Sequence, residues 1–316
     1  MGTVKILESA SAVRRLEAAA GFVESFEPAT EVLLVGAARE AADDFAREVS
    51  IRRGATFGLH RFSLTQLAAR LALGELAEQG AAPATSLAAE ALAARATFEV
   101  LEGERLEYFA PVARSPGFAR SLASTVHDLR TSGVQPASLS GLERVGRDLQ
   151  KLADRFDRQL TESSLADRAA LFRAAMEALR NEQAPFFAAW PVLLLDVPIE
   201  SAAERDFVRL VAEAASEVLA TVPAGDAPSR AALESIPGCQ LHTDGPAPAL
   251  QALVRLQTFL FSLTEPAAGE TAQDPQEVVF FSAPGEGREC VEIARRILEE
   301  GRRGVPFVGD GKYDQG

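Results

Sequence analysis

The chain has 316 residues, room for one large or two ordinary domains, and its 47% hydrophobic content is enough for a sizeable core. Asp and Glu outnumber Lys and Arg by 45 to 32, a net charge of −13, which argues against strong autonomous nucleic-acid binding but leaves room for a local basic groove. No apolar run reaches the roughly 18 residues of a membrane helix, no basic-then-apolar leader opens the chain, and Cys239 and Cys290 supply neither a disulfide framework nor a zinc site, so a cytoplasmic protein is expected.

The first predicted element is a strand at Val4–Leu7, followed by a helix over Ser11–Ala20. A second pair follows at Val32–Val35 and Glu40–Val49, then a weaker strand at Thr56–Leu59 and a helix from about Ser63 to Ala77. Further on, Val192–Leu195 leads to a helix over Ala202–Ala215, and Val218–Val222 reads as another strand. These apolar runs are short and do not alternate, as expected of strands buried on both faces of a parallel sheet. Strand then helix, repeated, predicts an α/β fold with right-handed crossovers.

Between these halves the pattern changes. Segments such as "SLAAEALAARATFEVL" and "RVGRDLQKLADRFDRQLTESS" place apolar residues at i, i+3 and i+4, and Gly133 with Pro136 makes a helix stop. The predicted organisation is an α/β domain over 1–75 and 181–264, interrupted by a helical insertion over 76–180. A Pro/Gly-containing linker at 265–277, a strand at Val278–Ser282 and a helix from about Gly287 to Glu300 complete the reading, with 265–316 taken as a linker and the truncated start of a second domain.

The first strand–turn–helix, "VKILESASAVRRLEAA", stands where a phosphate-binding loop would begin. Such a loop needs G-x-x-x-x-G-K-[ST]: glycines to let backbone amides wrap phosphate, a lysine for its charge, a hydroxyl for Mg²⁺. Here Ser9 and Ser11 lie in the turn and Arg14 and Arg15 are the nearest cations. The turn therefore reads as a degenerate nucleotide site (Ser9, Ser11, Arg14), with Ser9 or Ser11 as an ordinary helix cap. The strand "VLLLD" ends in Asp196, like a Walker B strand, but Val197 follows where the water-orienting glutamate belongs. Ser201 and Glu204 form a capping box for the next helix.

Taken in order, these segments resemble the N-terminal half of UvrD-like superfamily 1 helicases, and specifically inactivated relatives of the AddB/RexB type associated with PD-(D/E)XK nucleases. "VLLVGAAREAADDFAREV" resembles the strand and helix bearing a DNA-contacting motif, with Arg39 at the strand end. "HRFSLTQLAARLA" resembles the family's T-F-H-S segment, with Arg61, Phe62 and Ser63 in a loop on the DNA side. "VPAGDAPS" is similar to V-G-D-x-x-Q, with Ser229 in place of the glutamine. The resemblance implies a RecA-like fold with no bound cofactor and no catalytic residue in this chain. It implies an active AddA-like helicase–nuclease subunit as partner, no membrane association, and contact with single-stranded DNA through Arg39, Arg61 and Ser63. The implied role is in processing DNA double-strand breaks. Two alternatives stand beside it: a protein-interaction module with no DNA contact, and a fragment whose activity resides in a nuclease domain beyond residue 316.

The remaining chemistry-bearing residues carry less. Asp310-Gly311-Lys312 matches D/E-x-K only in letters, since no acid on an upstream strand accompanies it. His60, placed in the DNA-side loop, His127 and His242 have no ligand spacing. Trp190 with Phe186 and Phe187 fits packing at the sheet edge better than base stacking.

Overall fold

A computed structural model describes residues 3–181, 185–244, 256, 259, 260 and 278–305. The chain divides into two units, Met1–Ala247 and Pro248–Gly316. No helix among the described residues is long and apolar enough to cross a membrane.

The first unit is built on a six-stranded, all-parallel sheet. Its strands are β1 (Thr3–Ser9), β2 (Val32–Gly36), β3 (Leu59–Ser63), β6 (Val192–Leu195), β7 (Glu217–Pro223) and β8 (Cys239–Thr243), in the order β3-β2-β6-β7-β1-β8. The N-terminal strand is thus threaded between the last two. Every residue of β2 and β6 is buried, which explains the unbroken apolar runs "VLLVG" and "VLLL".

Alternate residues of each strand serve opposite faces. Leu34, Leu193, Leu195 and Leu219 pack under α1 (Ala12–Glu24) and α2 (Arg39–Arg53), with Ala19, Val23, Phe45 and Val49 from the helices. Val4, Ile6, Leu33, Val35, Leu194 and Val218 face the other way. There they meet α3 (Leu64–Glu78), α7 (Arg168–Arg180), α8 (Ala202–Ala214) and α9 (Ala227–Glu234).

The middle of the chain makes a second apolar core. Leu92, Ala96 and Val100 of α4 (Ser86–Gly103) meet Leu122 and Val126 of α5 (Phe118–Thr131) and Leu152, Phe156 and Leu160 of α6 (Glu143–Glu162). Asp148, 1% exposed, pins the connecting loop: its carboxylate accepts the backbone N–H groups of Glu107, Tyr108 and Phe109 at 2.9, 2.7 and 3.1 Å. The 3-10 turn Pro136–Gly141 lies so close to α6 that a Cβ on Gly146 would sit 1.8 Å from the Leu139 carbonyl oxygen. α7 lies inside the window 76–180 yet packs with the sheet's core. The helices sharing the second core are α4, α5 and α6. The two ends of this helical segment are joined by a short parallel pair, β4 (Ala82–Pro83) and β5 (Leu165–Ala166).

Three sequence expectations are corrected. The strand placed at Thr56–Leu59 is β3, at Leu59–Ser63. Gly58 adopts φ +77° and its missing Cβ lets the Thr30 carbonyl approach, so the turn ends there and pairing with β2 begins one residue later. "HRFS" is consequently edge strand and not loop, which moves His60, Arg61 and Phe62 into the sheet. Val278–Ser282 joins no sheet among the described residues, for want of a neighbouring ladder there. β8, "CQLHT", is a strand the apolar pattern did not announce, because its residues are mostly exposed at the sheet's edge.

In the second unit, α10 (Glu286–Arg302) is amphipathic and buries none of its residues. Glu292 sits below Arg295 and Arg296 on the same helix, and the hydrogen bond from Arg295 leads in holding its carboxyl down at about 2. The expected linker 265–277 and Asp310-Gly311-Lys312 lie outside the described residues.

Candidate functional site

The C-terminal ends of β1, β7 and β6 lie side by side, and ligands of open α/β sheets bind outside such ends. The pairing sets Ser9 against Pro223 and Leu195 against Thr221, so the turn after β1 faces Asp196 across one strand.

That turn is tight. β1 ends at Ser9 and α1 starts at Ala12, so only Ala10 and Ser11 connect them. The Ser11 hydroxyl caps α1 by accepting the Arg14 N–H at 3.3 Å, and the Ser9 hydroxyl accepts the Ser11 N–H at 3.2 Å. Two of the turn's backbone amides, those of Ser11 and Arg14, are thus engaged by the turn's own serines. Ser9 and Ser11 are therefore structural, and Arg14 points outward to Asp244 at 3.3 Å.

Arg15 occupies the space between the turn and Asp196. Its side chain is 8% exposed. Nε donates to both Asp196 carboxylate oxygens at 2.9 and 3.1 Å, and Nη1 donates to the Ser9 carbonyl at 2.5 Å. Thr221, 1% exposed, completes the arrangement: its hydroxyl donates to Asp196 Oδ1 at 2.7 Å and accepts the Asp196 N–H at 3.0 Å. Asp196 itself holds φ at +50°, a left-handed conformation that Asp tolerates better than most residues. The result is a closed, charge-balanced cluster linking β1, β6 and β7.

The neighbouring positions have structural employment. Val197 is buried. The Ser229 hydroxyl accepts the Ile199 N–H at 2.8 Å, which ties down the chain after Asp196, and Asp226 caps α9 through the Ser229 N–H at 3.1 Å. Glu8, also buried, is matched by Arg230 at 3.3 Å.

The residues expected on the DNA side fall into two groups. Arg39 and Arg61 come together on Asp43, at 3.1 and 3.3 Å. Arg39 also donates to the Arg61 carbonyl at 2.5 Å, occupying an acceptor of edge strand β3. Both side chains keep more than a third of their surface in solvent, so two cations share one carboxylate at the surface. Ser63 caps α3 in a reciprocal box with Gln66. On the opposite face of β3, His60 pairs with Glu31 and stacks on Trp190 with ring centroids 4.6 Å apart.

A separate cleft of about 230 Å³ is lined by Thr85, Ser86, His127, Phe156, Asp167 and Arg168 among others. Beside it Arg130 joins three helices, bonding Asp157 of α6 and the α7 cap Asp167 at 2.6 Å. Burial raises the Asp157 carboxyl above its ordinary value. Arg130 opposes the rise, but the charges of Asp167 and Asp154 add to it. Burial alone would lower Arg130, yet its bonds to Asp167 and Asp157 outweigh that and raise it. No group of three His, Cys, Asp or Glu among the described residues is arranged to hold a metal.

What the sequence reading missed is Arg15, and a signal for it was present. The buried positions of α1 are Arg15, Ala19, Ala20 and Val23, so an arginine opens the helix's apolar stripe. An arginine in that phase requires a buried partner. Compared with known proteins, the sequence matches no family model, and no curated protein matches it.

Proposed function

We propose that the chain is a non-catalytic, RecA-like helicase domain of the AddB/RexB kind. In this reading it scaffolds an active motor subunit and guides single-stranded DNA during double-strand-break processing. The observation that carries the reading is the meeting of the β1 turn and Asp196 across β7. A phosphate-loop enzyme needs those two elements together, one for phosphate and one for Mg²⁺. Here they are together while the chemistry is gone: a two-residue turn, Arg15 on the aspartate, Val197 and Ser229 as packing residues. The strand order and the helices on both faces are compatible with that fold. ATP turnover is therefore expected at background level with or without single-stranded DNA, and DNA-stimulated hydrolysis abolished by Asp196→Asn would sink the reading.

Arg39 and Arg61 are the proposed backbone contacts, since they leave a surplus positive charge at the rim of β2 and β3. A second reading, a protein-interaction module without DNA contact, is favoured by the net charge of −13 and by Asp43 engaging both arginines. Fluorescence anisotropy over a salt series separates them. DNA guidance requires binding that weakens with salt and weakens further in Arg39→Ala/Arg61→Ala, with a salt slope smaller by about 2. No binding at low salt leaves the interaction module.

A further inference from the structure

The Arg15 guanidinium bridges two strand ends, bonding the Ser9 carbonyl of β1 and both oxygens of the Asp196 carboxylate after β6, a carboxylate that the Thr221 hydroxyl of β7, the strand between them, also holds. A carboxylate and a backbone carbonyl are oxygen donors of the kind hard divalent cations take, with waters filling the remaining positions. A guanidinium in the same space satisfies the same oxygens with a single fixed charge that cannot dissociate or deprotonate. The other acids nearby are matched by other arginines, Glu8 by Arg230 and Asp244 by Arg14. Among the described residues, Asp196 is thus the one carboxylate that Arg15 neutralises, and Arg15 is the one cation that reaches it.

We propose that Arg15 is a resident counter-ion: it fills an oxygen-lined cation site at the ends of β1, β6 and β7 and thereby excludes divalent metal. The site is closed by an added side chain, and not merely stripped of its ligands. The inference rests on the ion pair and holds whether or not the helicase-like reading does; ATP turnover tests that reading, and metal uptake tests this one.

The experiment is Mn²⁺ titration of the full chain, followed through the electron paramagnetic resonance signal of free Mn²⁺. Wild type and Arg15→Met, which keeps the apolar stem, are compared, with folding checked by circular dichroism. Arg15→Met should gain one site bound at least about tenfold more tightly than any in wild type. The gain should vanish in Arg15→Met/Asp196→Asn. Arg15→Ala supplies the same readout if the methionine variant does not fold. A folded variant with no gain, or a gain that persists without the Asp196 carboxylate, overturns the proposal. So does a wild-type site that is lost in Asp196→Asn, because metal would then coexist with Arg15.

Discussion

Arg15 and Asp196 depend on each other more than on anything else near them. Removing the guanidinium strands a carboxylate that is about one quarter exposed and leaves the Ser9 carbonyl with the Ala224 N–H alone. Arg15→Ala should cost about 2–3 kcal/mol in urea unfolding, below the range for fully buried pairs because water reaches Asp196. Arg15→Ala/Asp196→Ala should cost less than the sum of the single changes, and additivity would show that the two do not act as a pair. Asp157 gives a prediction of the opposite kind. Its raised carboxyl binds a proton more tightly in the native state than in the unfolded chain. Stability from this group is therefore greatest below its ordinary value and declines as pH rises through the native one. Asp157→Asn should remove that decline, gaining on wild type as pH rises above the ordinary carboxylate range by less than about 1 kcal/mol, since Asp157 is partly exposed. Denaturation curves on either side of that range read the difference directly.

At the scale of elements, periodicity and capping were informative where burial is uniform. The runs in β2 and β6 and the Ser201–Glu204 box identified strands and a helix start without reference to the rest of the chain. β3 and β8 were misplaced or missed because edge strands bury little and so carry no apolar run. The candidate site was half legible. Asp196 and the β1 turn can be found by order along the chain, but the Arg15–Asp196 pair spans residues whose neighbourhood exists only once β7 lies between them. Gly146 shows the same dependence on tertiary context. Alanine is the better helix former by about 1 kcal/mol. Gly146→Ala should nonetheless destabilise by at least about 2 kcal/mol, because its Cβ would overlap the Leu139 carbonyl and α6 would have to move off the 3-10 turn. A thermal melt with no loss of Tm would refute that close approach.

At the scale of the first unit, the helical segment α4–α6 is attached at two points that touch. Ala82 pairs with Leu165, and the Ala82 N–H donates to the Ser164 carbonyl at 2.9 Å. Joining Ala81 to Leu165 through two glycines, with 82–164 deleted, should leave the sheet and its two layers folded. The variant should show a single cooperative unfolding transition and a reduced helical circular dichroism signal. Loss of cooperativity would mean that the sheet requires the second core for its own stability.

The position of β1 also bears on how the chain is made. β1 leaves the ribosome ahead of both its neighbours in the finished sheet, β7 and β8, which lie roughly 200 residues downstream. At a synthesis rate of about 5–20 residues per second, "TVKILES" waits on the order of 10 to 40 s for its neighbours. Over that interval Ile6 and Leu7 have no ladder, and Arg15 has no aspartate. Closure of the site therefore waits until β7 has been made, and a nascent chain stalled before β7 should hold Arg15 open to solvent.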